Sequence, residues 1–220
     1  MPVDAKICGI KTAPALDAAV TGGARFVGFN FYARSPRSLD TEAAAVLAGR
    51  APRGLTRVGL FVDEADETLE SILRHVPLDM LQLHGQETPA RIAEVRRRFG
   101  LPVMKAIKVA TAEDVDGATA FEQTADWLLF DAKAPPQMAG ALPGGNALSF
   151  DWTLLAGRRW NRPWMLSGGL SAANLEQAVR MTGAMVVDVS SGVEDRPGAK
   201  NPAKIAEFLK MAQRLSPSAA

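Results

Sequence analysis

Short, nearly continuous apolar runs alternate with amphipathic segments from end to end of this 220-residue chain, and that alternation constrains the fold more than any other feature. The apolar runs fall at Ala5–Gly9, Phe26–Phe31, Thr56–Val62, Met80–His84, Pro102–Val109, Trp127–Asp131, Pro163–Ser167 and Met185–Val189. They are compact and rich in β-branched and aliphatic residues, the pattern of strands buried on both faces. Helical patterns lie between and after them, at Ala13–Thr21, Thr41–Arg50, Glu67–His75, Pro89–Phe99, Ala112–Gln123, Asp151–Leu155, Ala172–Met181 and Ala203–Leu215. Thr41-Glu42, Ser171-Ala172-Ala173-Asn174 and Asn201-Pro202 read as caps or first turns. About eight β-α units follow one another with no break in composition. The expected architecture is therefore α/β, a single (βα)8 TIM-type barrel over residues 1–220, lean beside the ~250 residues usual for that design. A doubly wound open sheet is the rival, but it normally has fewer strands, and no Gly-x-Gly-x-x-Gly turn follows the first strand.

The totals narrow the class of function. Hydrophobic residues make up 47% of the chain, enough for a sizeable core, and the formal net charge is +1. That balance gives no electrostatic reason to expect nucleic acid or an anionic membrane as partner. One cysteine cannot form an internal disulfide, which suits a reducing cytoplasm. The opening Met-Pro-Val-Asp-Ala-Lys has no signal-peptide pattern, and no apolar run approaches the ~20 residues of a membrane helix. The expectation is a cytoplasmic protein acting on a small molecule. No large exposed apolar patch is identifiable from the sequence, which favours a monomer over a homodimer.

In a parallel barrel, catalytic groups sit where strands end. Cys8, the only cysteine, ends the first strand in Lys6-Ile7-Cys8-Gly9-Ile10. A thiol titrates near ~8.5, so a modest downward shift would make Cys8 a proton acceptor near neutral pH. The bland alternative is a small buried hydrophobe. Asn30 and Arg37 lie at or after strand two, Asp63 after strand three, Gln82 and His84 at strand four, and Lys105 and Lys108 in strand five. Asp131 emerges from apolar Trp127-Leu128-Leu129-Phe130, where desolvation would raise its pKa and let it act as an acid. Cys8 and Asp131 would then face each other as base and acid across the barrel mouth. Ser167-Gly168-Gly169 after strand seven, and Asp188 with Ser190-Ser191-Gly192 after strand eight, are turns of the type that cradles phosphate with backbone N–H groups.

Arg37, in Arg34-Ser35-Pro36-Arg37, could grip a planar carboxylate through two parallel hydrogen bonds; two solvated arginines are the alternative. His84 could orient a substrate hydroxyl or serve as a satisfied structural donor. Lys133 and Lys200 could add charge near the phosphate turns but read more readily as solvated surface, His75 as a surface helix residue, and Arg96-Arg97-Arg98 as a solvated helix end. No metal-ligand spacing and no serine-hydrolase elbow is present in the sequence. The long Pro-, Gly- and Ala-rich loop Lys133–Ser149 would lie at the functional face.

These motifs, taken in order, resemble the phosphoribosylanthranilate isomerase family of tryptophan biosynthesis. The resemblance rests on Lys6-Ile7-Cys8-Gly9-Ile10, Gly28-Phe29-Asn30-Phe31-Tyr32 with Ser35-Pro36-Arg37, Val58-Gly59-Leu60-Phe61-Val62 and Leu81-Gln82-Leu83-His84-Gly85. It continues through Phe130-Asp131, Gly144-Gly145 before Phe150-Asp151-Trp152, Leu166-Ser167-Gly168-Gly169-Leu170 and Val187-Asp188-Val189-Ser190-Ser191-Gly192-Val193-Glu194. It implies a cofactor-free Amadori rearrangement of N-(5-phosphoribosyl)anthranilate to 1-(2-carboxyphenylamino)-1-deoxyribulose 5-phosphate. In that reading Asp131 is the general acid, Cys8 the general base, Arg37 the partner of the anthranilate carboxylate, and Gly168, Gly169, Ser190, Ser191 and Gly192 the phosphate turns.

Three positions depart from the family pattern. Ala33 stands where proline is frequent, Ala147 where glycine often follows the Gly-Gly pair, and Asn201 where aspartate is frequent. The rival readings are a sister phosphosugar barrel, either a histidine-pathway isomerase or indole-glycerol-phosphate synthase, and a non-catalytic phosphoribosyl-binding barrel. The first would be expected to carry a carboxylate where Cys8 stands, and the second to use strand-end lysines, for which Lys105 and Lys108 are the candidates. The third could dispense with Cys8 or Asp131.

Overall fold

A computed structural model describes residues 2–135, 137–138 and 142–216. Eight parallel strands close into a barrel in chain order: β1 (Asp4–Cys8), β2 (Phe26–Asn30), β3 (Thr56–Phe61), β4 (Met80–Leu83), β5 (Val103–Val109), β6 (Trp127–Ala132), β7 (Trp164–Leu166) and β8 (Val186–Val189). β8 pairs back onto β1 with Lys6 opposite Asp188. Every expected strand is present, with ends that differ by one residue.

The period of two along each strand sorts its side chains into two layers. Phe26, Val58, Met80, Met104, Ala106, Leu129, Met165 and Val186 fill the inside of the barrel. Their neighbours, among them Ile7, Val27, Phe29, Phe61, Leu81 and Phe130, form the larger layer between barrel and helices. One step beyond the inner plug, the same inward face carries Cys8, Asn30, Gln82, His84, Asp131, Ser167 and Asp188. The polar rim therefore follows from apolar strands whose last inward positions are polar.

The helices are α1 (Ala13–Thr21), α2 (Thr41–Arg50), α3 (Asp66–Leu73), α4 (Pro89–Phe99), α5 (Ala112–Asp116), α6 (Leu175–Thr182) and α7 (Pro202–Arg214). Thr12 and Thr88 cap α1 and α4 ahead of a first-turn proline. Asp40, not Thr41, caps α2, accepting from the Ala43 amide at 2.7 Å. The helix expected over Ala112–Gln123 stops at Asp116 and continues as a 3₁₀ turn over Gly117–Phe121, because Gly117 weakens α propagation. The helix expected at Asp151–Leu155 is likewise a 3₁₀ turn, Trp152–Leu155, too short to propagate as α. α6 starts at Leu175 because Asn174 serves the preceding turn, accepting from Ser171 N and donating to Gly169 O. His75 lies just beyond α3 and is exposed.

A small antiparallel hairpin, β9 (Glu194–Arg196) and β10 (Ala199–Lys200), was not expected from the sequence. Its turn holds Pro197-Gly198, with Gly198 at φ +83°. A Cβ there would lie 2.3 Å from the Pro36 carbonyl oxygen, so glycine lets the hairpin seat against the loop after β2. Asn201 then caps α7 through the Ala203 and Lys204 amides and donates from Nδ2 to Asp195. Aspartate could supply the cap but not that donor. Among the described residues no helix is long and apolar enough to cross a membrane.

Candidate active site

The strand ends open into one cavity. Cys8, Asn30, Arg37, Gln82, His84 and Asp131 line one part of it; Ser167, Gly168, Gly169, Asp188, Ser190 and Ser191 line the other. Part of the loop after β6, Leu142–Leu148, forms its roof. Of the long loop Lys133–Ser149, residues 136 and 139–141 lie outside the described residues. Asp63, Lys105, Lys108 and Gly192, all grouped at this rim by the sequence, do not line the cavity. Lys105 is buried beside it, paired with Glu87 at 2.7 Å and bonded to Gly85 O at 2.8 Å. Lys108 is half-buried, its ammonium disfavoured first by burial and then by Lys105.

Asp131 is buried at the end of β6. One carboxylate oxygen accepts from the Ala132 amide at 2.9 Å, and the other lies 3.2 Å from His84 Nε2. Gln82 Nε2 stands 3.0 Å from His84 Nδ1. With the Gln82 amide donating, Nδ1 accepts and the ring proton belongs on Nε2, facing Asp131. The Nε2 contact lies off the hydrogen-bonding line, so that nitrogen keeps no aligned partner among the described residues. His84 thus lines the cavity with its ring against the Asp131 carboxylate.

Cys8 ends β1, three strands from β6 around the barrel. The downward shift that would make Cys8 a base near neutral pH is opposed by its surroundings. Burial pushes the Cys8 pKa up; Lys6 opposes it, Asp188 adds to it, and Lys200 opposes it. Lys6 is fully buried, with its ammonium 2.8 Å from Asp188 Oδ1, and Ser167 Oγ donates to Asp188 Oδ2 at 3.0 Å. Burial works against the Lys6 ammonium, but Asp188 and Cys8 outweigh it and hold its pKa above the ordinary lysine value.

Arg37 is 4% exposed and is not a solvated arginine, whereas Arg34 is exposed. Its Nε and Nη2 donate to the two oxygens of Glu194 at 2.9 and 2.8 Å. That edge of the guanidinium is used within the protein, so the Nη1–Nη2 end is the part left for a ligand carboxylate. A Cβ on Gly145 would lie 2.6 Å from Nη1, which places this end directly under the roof loop.

Of the two readings of Lys200, solvated surface does not hold. Its side chain is 1% exposed, because the hairpin folds it back onto Glu194 at 2.6 Å, and it donates to the Ser190 carbonyl at 3.0 Å. Lys133 is indeed half-exposed, paired with Asp114. Glu194 had been visible in the sequence only as the end of a motif. The available signal was a carboxylate closing the run after β8, followed by a Pro-Gly turn and a lysine.

The turns after β7 and β8 are built on glycine. Gly168 and Gly169 have φ of +87° and +65°. A Cβ on Gly192 would fall 1.9 Å from the Leu170 carbonyl oxygen, so Gly192 packs one turn against the other instead of facing the cavity. Among the described residues, the amides of Gly168, Gly169 and Ser191 donate to no protein acceptor. Ala147, in the roof, has φ +57°, a left-handed conformation that glycine adopts without strain.

The relatives of this chain agree with this architecture. Residues 5–211 match the family model described as N-(5'phosphoribosyl)anthranilate (PRA) isomerase. The N-(5'-phosphoribosyl)anthranilate isomerase of Rhodospirillum centenum is 63% identical over 215 residues, spanning 98% of this chain and 100% of that protein. That of Cereibacter sphaeroides is 56% identical, over 96% of this chain and 99% of the relative. The crystal structure of phosphoribosyl anthranilate isomerase from Thermotoga maritima superimposes with a TM-score of 0.86 at 34% identity, covering 97% of this chain and 100% of the other. Another crystal structure of such an isomerase, with TM-score 0.82 and 33% identity over 97% of this chain and 100% of the other, is a complex with reduced 1-(o-carboxyphenylamino)-1-deoxyribulose 5-phosphate. With a family model matched over most of its length and relatives this similar, the chain belongs to the N-(5'-phosphoribosyl)anthranilate isomerase family, TIM-barrel isomerases of tryptophan biosynthesis.

Proposed function

We propose that the chain converts N-(5-phosphoribosyl)anthranilate into 1-(2-carboxyphenylamino)-1-deoxyribulose 5-phosphate by an Amadori rearrangement that uses only side-chain acid and base groups. The observation that carries the reading is that Cys8 and Asp131 face one cavity that also holds an arginine end and two glycine turns with available amides. The substrate has one carboxylate and one phosphate at opposite ends. Arg37 suits the first. The amides of Gly168, Gly169 and Ser191, with Ser190 beside them, suit the second. Gly192 serves by holding the two turns together.

In the first step Asp131, as the acid, protonates the ribose ring oxygen. The ring opens and the anthranilate nitrogen carries the resulting protonated Schiff base. The Cys8 thiolate then removes the proton from C2, and the electron pair of that C–H bond moves to give the enolamine. Tautomerisation puts a proton on C1 and releases one from the C2 hydroxyl, which restores both enzyme groups. The Schiff-base cation forms close to Cys8 just when a thiolate is needed, and an adjacent positive charge favours that anion against its burial. The Ala132 amide holds one Asp131 oxygen, and His84, held by Gln82, packs against the other. The chain acts in this reading as a cytoplasmic enzyme.

Purified protein mixed with freshly generated phosphoribosylanthranilate should quench its anthranilate-type fluorescence. Cys8→Ser and Asp131→Asn should each lower turnover by about 10²–10⁴-fold with folding intact. A parent that binds phosphate ligands yet does not consume the substrate would overturn the assignment in favour of a sister substrate or a non-catalytic barrel.

A further inference from the structure

We propose that Lys6 is the positioning residue that keeps the Cys8 sulfur available as an anion. The inference rests on the reading of Cys8 as the base, and it adds a residue that the reaction scheme does not require. Lys6 and Cys8 are two apart on β1 and therefore share its inward face. Lys6 is among the largest fully buried side chains of the molecule, a costly place for an ammonium unless it is paired. Asp188 on β8 supplies the pair at 2.8 Å, and Ser167 on β7 fixes the other Asp188 oxygen.

The position of the ammonium is marked independently by Gly28 on β2. A Cβ built there would lie 3.0 Å from Cys8 Sγ and 3.2 Å from Lys6 Nζ. Sulfur and ammonium therefore both border the space beside a residue that has no side chain to fill it. One carboxylate does not exhaust three N–H donors, so Lys6 can also donate to the sulfur. The other charged groups around Cys8 are Lys200 from β10, Arg37 and Glu194 beside it, and Asp131 with His84 across the mouth. Arg37 and Lys200 share Glu194, whereas Lys6 stands on the same strand and the same inward face as Cys8.

Because Cys8 is the only cysteine, its alkylation by iodoacetamide reports the thiolate without ambiguity. The rate would be followed against pH by intact mass in the parent and three variants. Lys6→Met removes the ammonium but strands a buried carboxylate. Lys6→Met with Asp188→Asn removes both charges and leaves no unpaired buried carboxylate. Gly28→Ala keeps the ion pair and brings a methyl within 3.0 Å of the sulfur and 3.2 Å of the ammonium, so their approach must change.

In each folded variant the midpoint of alkylation should move up by about one pH unit or more, which makes reaction at pH 7 roughly tenfold slower. Turnover of phosphoribosylanthranilate should fall in kcat with KM little changed. A folded double variant and a folded Gly28→Ala that both alkylate with the parent's pH profile would overturn the inference. If the profile moves as expected but the parent does not turn over the substrate, the role of Lys6 stands and the isomerase assignment fails.

Discussion

Removing the Glu194 carboxylate should be among the most damaging single changes near the mouth, although Glu194 itself never needs to touch a substrate. Its side chain is 4% exposed, and it serves two cations that are equally buried: Arg37, through two parallel hydrogen bonds, and Lys200 at 2.6 Å. Breaking a buried pair by deleting one partner typically costs about 3–5 kcal/mol, because the other charge is left desolvated, and here two charges are left. Glu194→Ala should therefore lose about 3–5 kcal/mol. Glu194→Gln keeps one carbonyl acceptor, worth about 1.5–3 kcal/mol against a cation, and should lose about 2 kcal/mol.

The pH dependence follows from the direction of the Glu194 shift. Burial alone would raise its pKa, but Arg37 and Lys200 together hold it below the ordinary 4.5. A depressed carboxylate contributes stability that is fully present above the unfolded value and is lost as pH falls through the folded one. The gap between parent and Glu194→Gln should hold at pH 7 and narrow below about pH 4.5. Urea unfolding, followed by far-UV circular dichroism and by tryptophan fluorescence, measures the gap where the two transitions coincide. A gap under about 0.5 kcal/mol at pH 7, the size expected of an ordinary surface substitution, would refute the reasoning. So would a gap that does not change on acidification.

Two glycine substitutions test the geometry of the mouth separately. A Cβ on Gly144 would lie 2.6 Å from Asp131 Oδ2 and 2.8 Å from His84 Nε2, so Gly144→Ala must lift the roof or turn the carboxylate. It should lower kcat/KM by roughly 10-fold to 10²-fold, since misplacement by about an ångström costs that much, while the unfolding midpoint stays near the parent's; parental kinetics would show that the roof does not pack on Asp131 during turnover. Gly192→Ala meets the Leu170 backbone at 1.9 Å and must separate the turns after β7 and β8. It should raise KM for the phosphorylated substrate and cost about 1–3 kcal/mol of stability, and an unchanged KM would show that phosphate binding does not depend on how Gly192 holds the two turns together.

The strands were legible because parallel strands buried on both faces read as uninterrupted apolar runs, and their period of two sorts inner from outer positions without any tertiary knowledge. Met104 and Ala106 point into the barrel while Val103 and Val109 face the helices, as alternation requires. Local chemistry was legible as well: Asn201-Pro202 starts α7 as read. The β9–β10 hairpin was not, since Glu194–Arg196 is polar and its partner is two residues long, too little for any periodic signal.

The largest misreadings concern charge, and they share one cause. Cys8 could be read as a low-titrating thiol or a buried hydrophobe, and Lys200 as solvated, because a side chain's partners are not written beside it in the chain. Lys6 and Asp188 are 182 positions apart and 2.8 Å distant only because β8 closes on β1. Arg37 and Glu194 are 157 apart and meet through the same closure. Barrel topology says which residues end strands. Only closure and register say which of them neutralise one another. Around this mouth each of Lys6, Arg37 and Lys200 has a carboxylate partner. Buried ion pairs of this kind add little net stability. Their value here is positional, since a cation already held by a carboxylate cannot swing to follow the substrate. Cys8, Asp131 and the outer end of Arg37 can therefore be set in place before the substrate arrives.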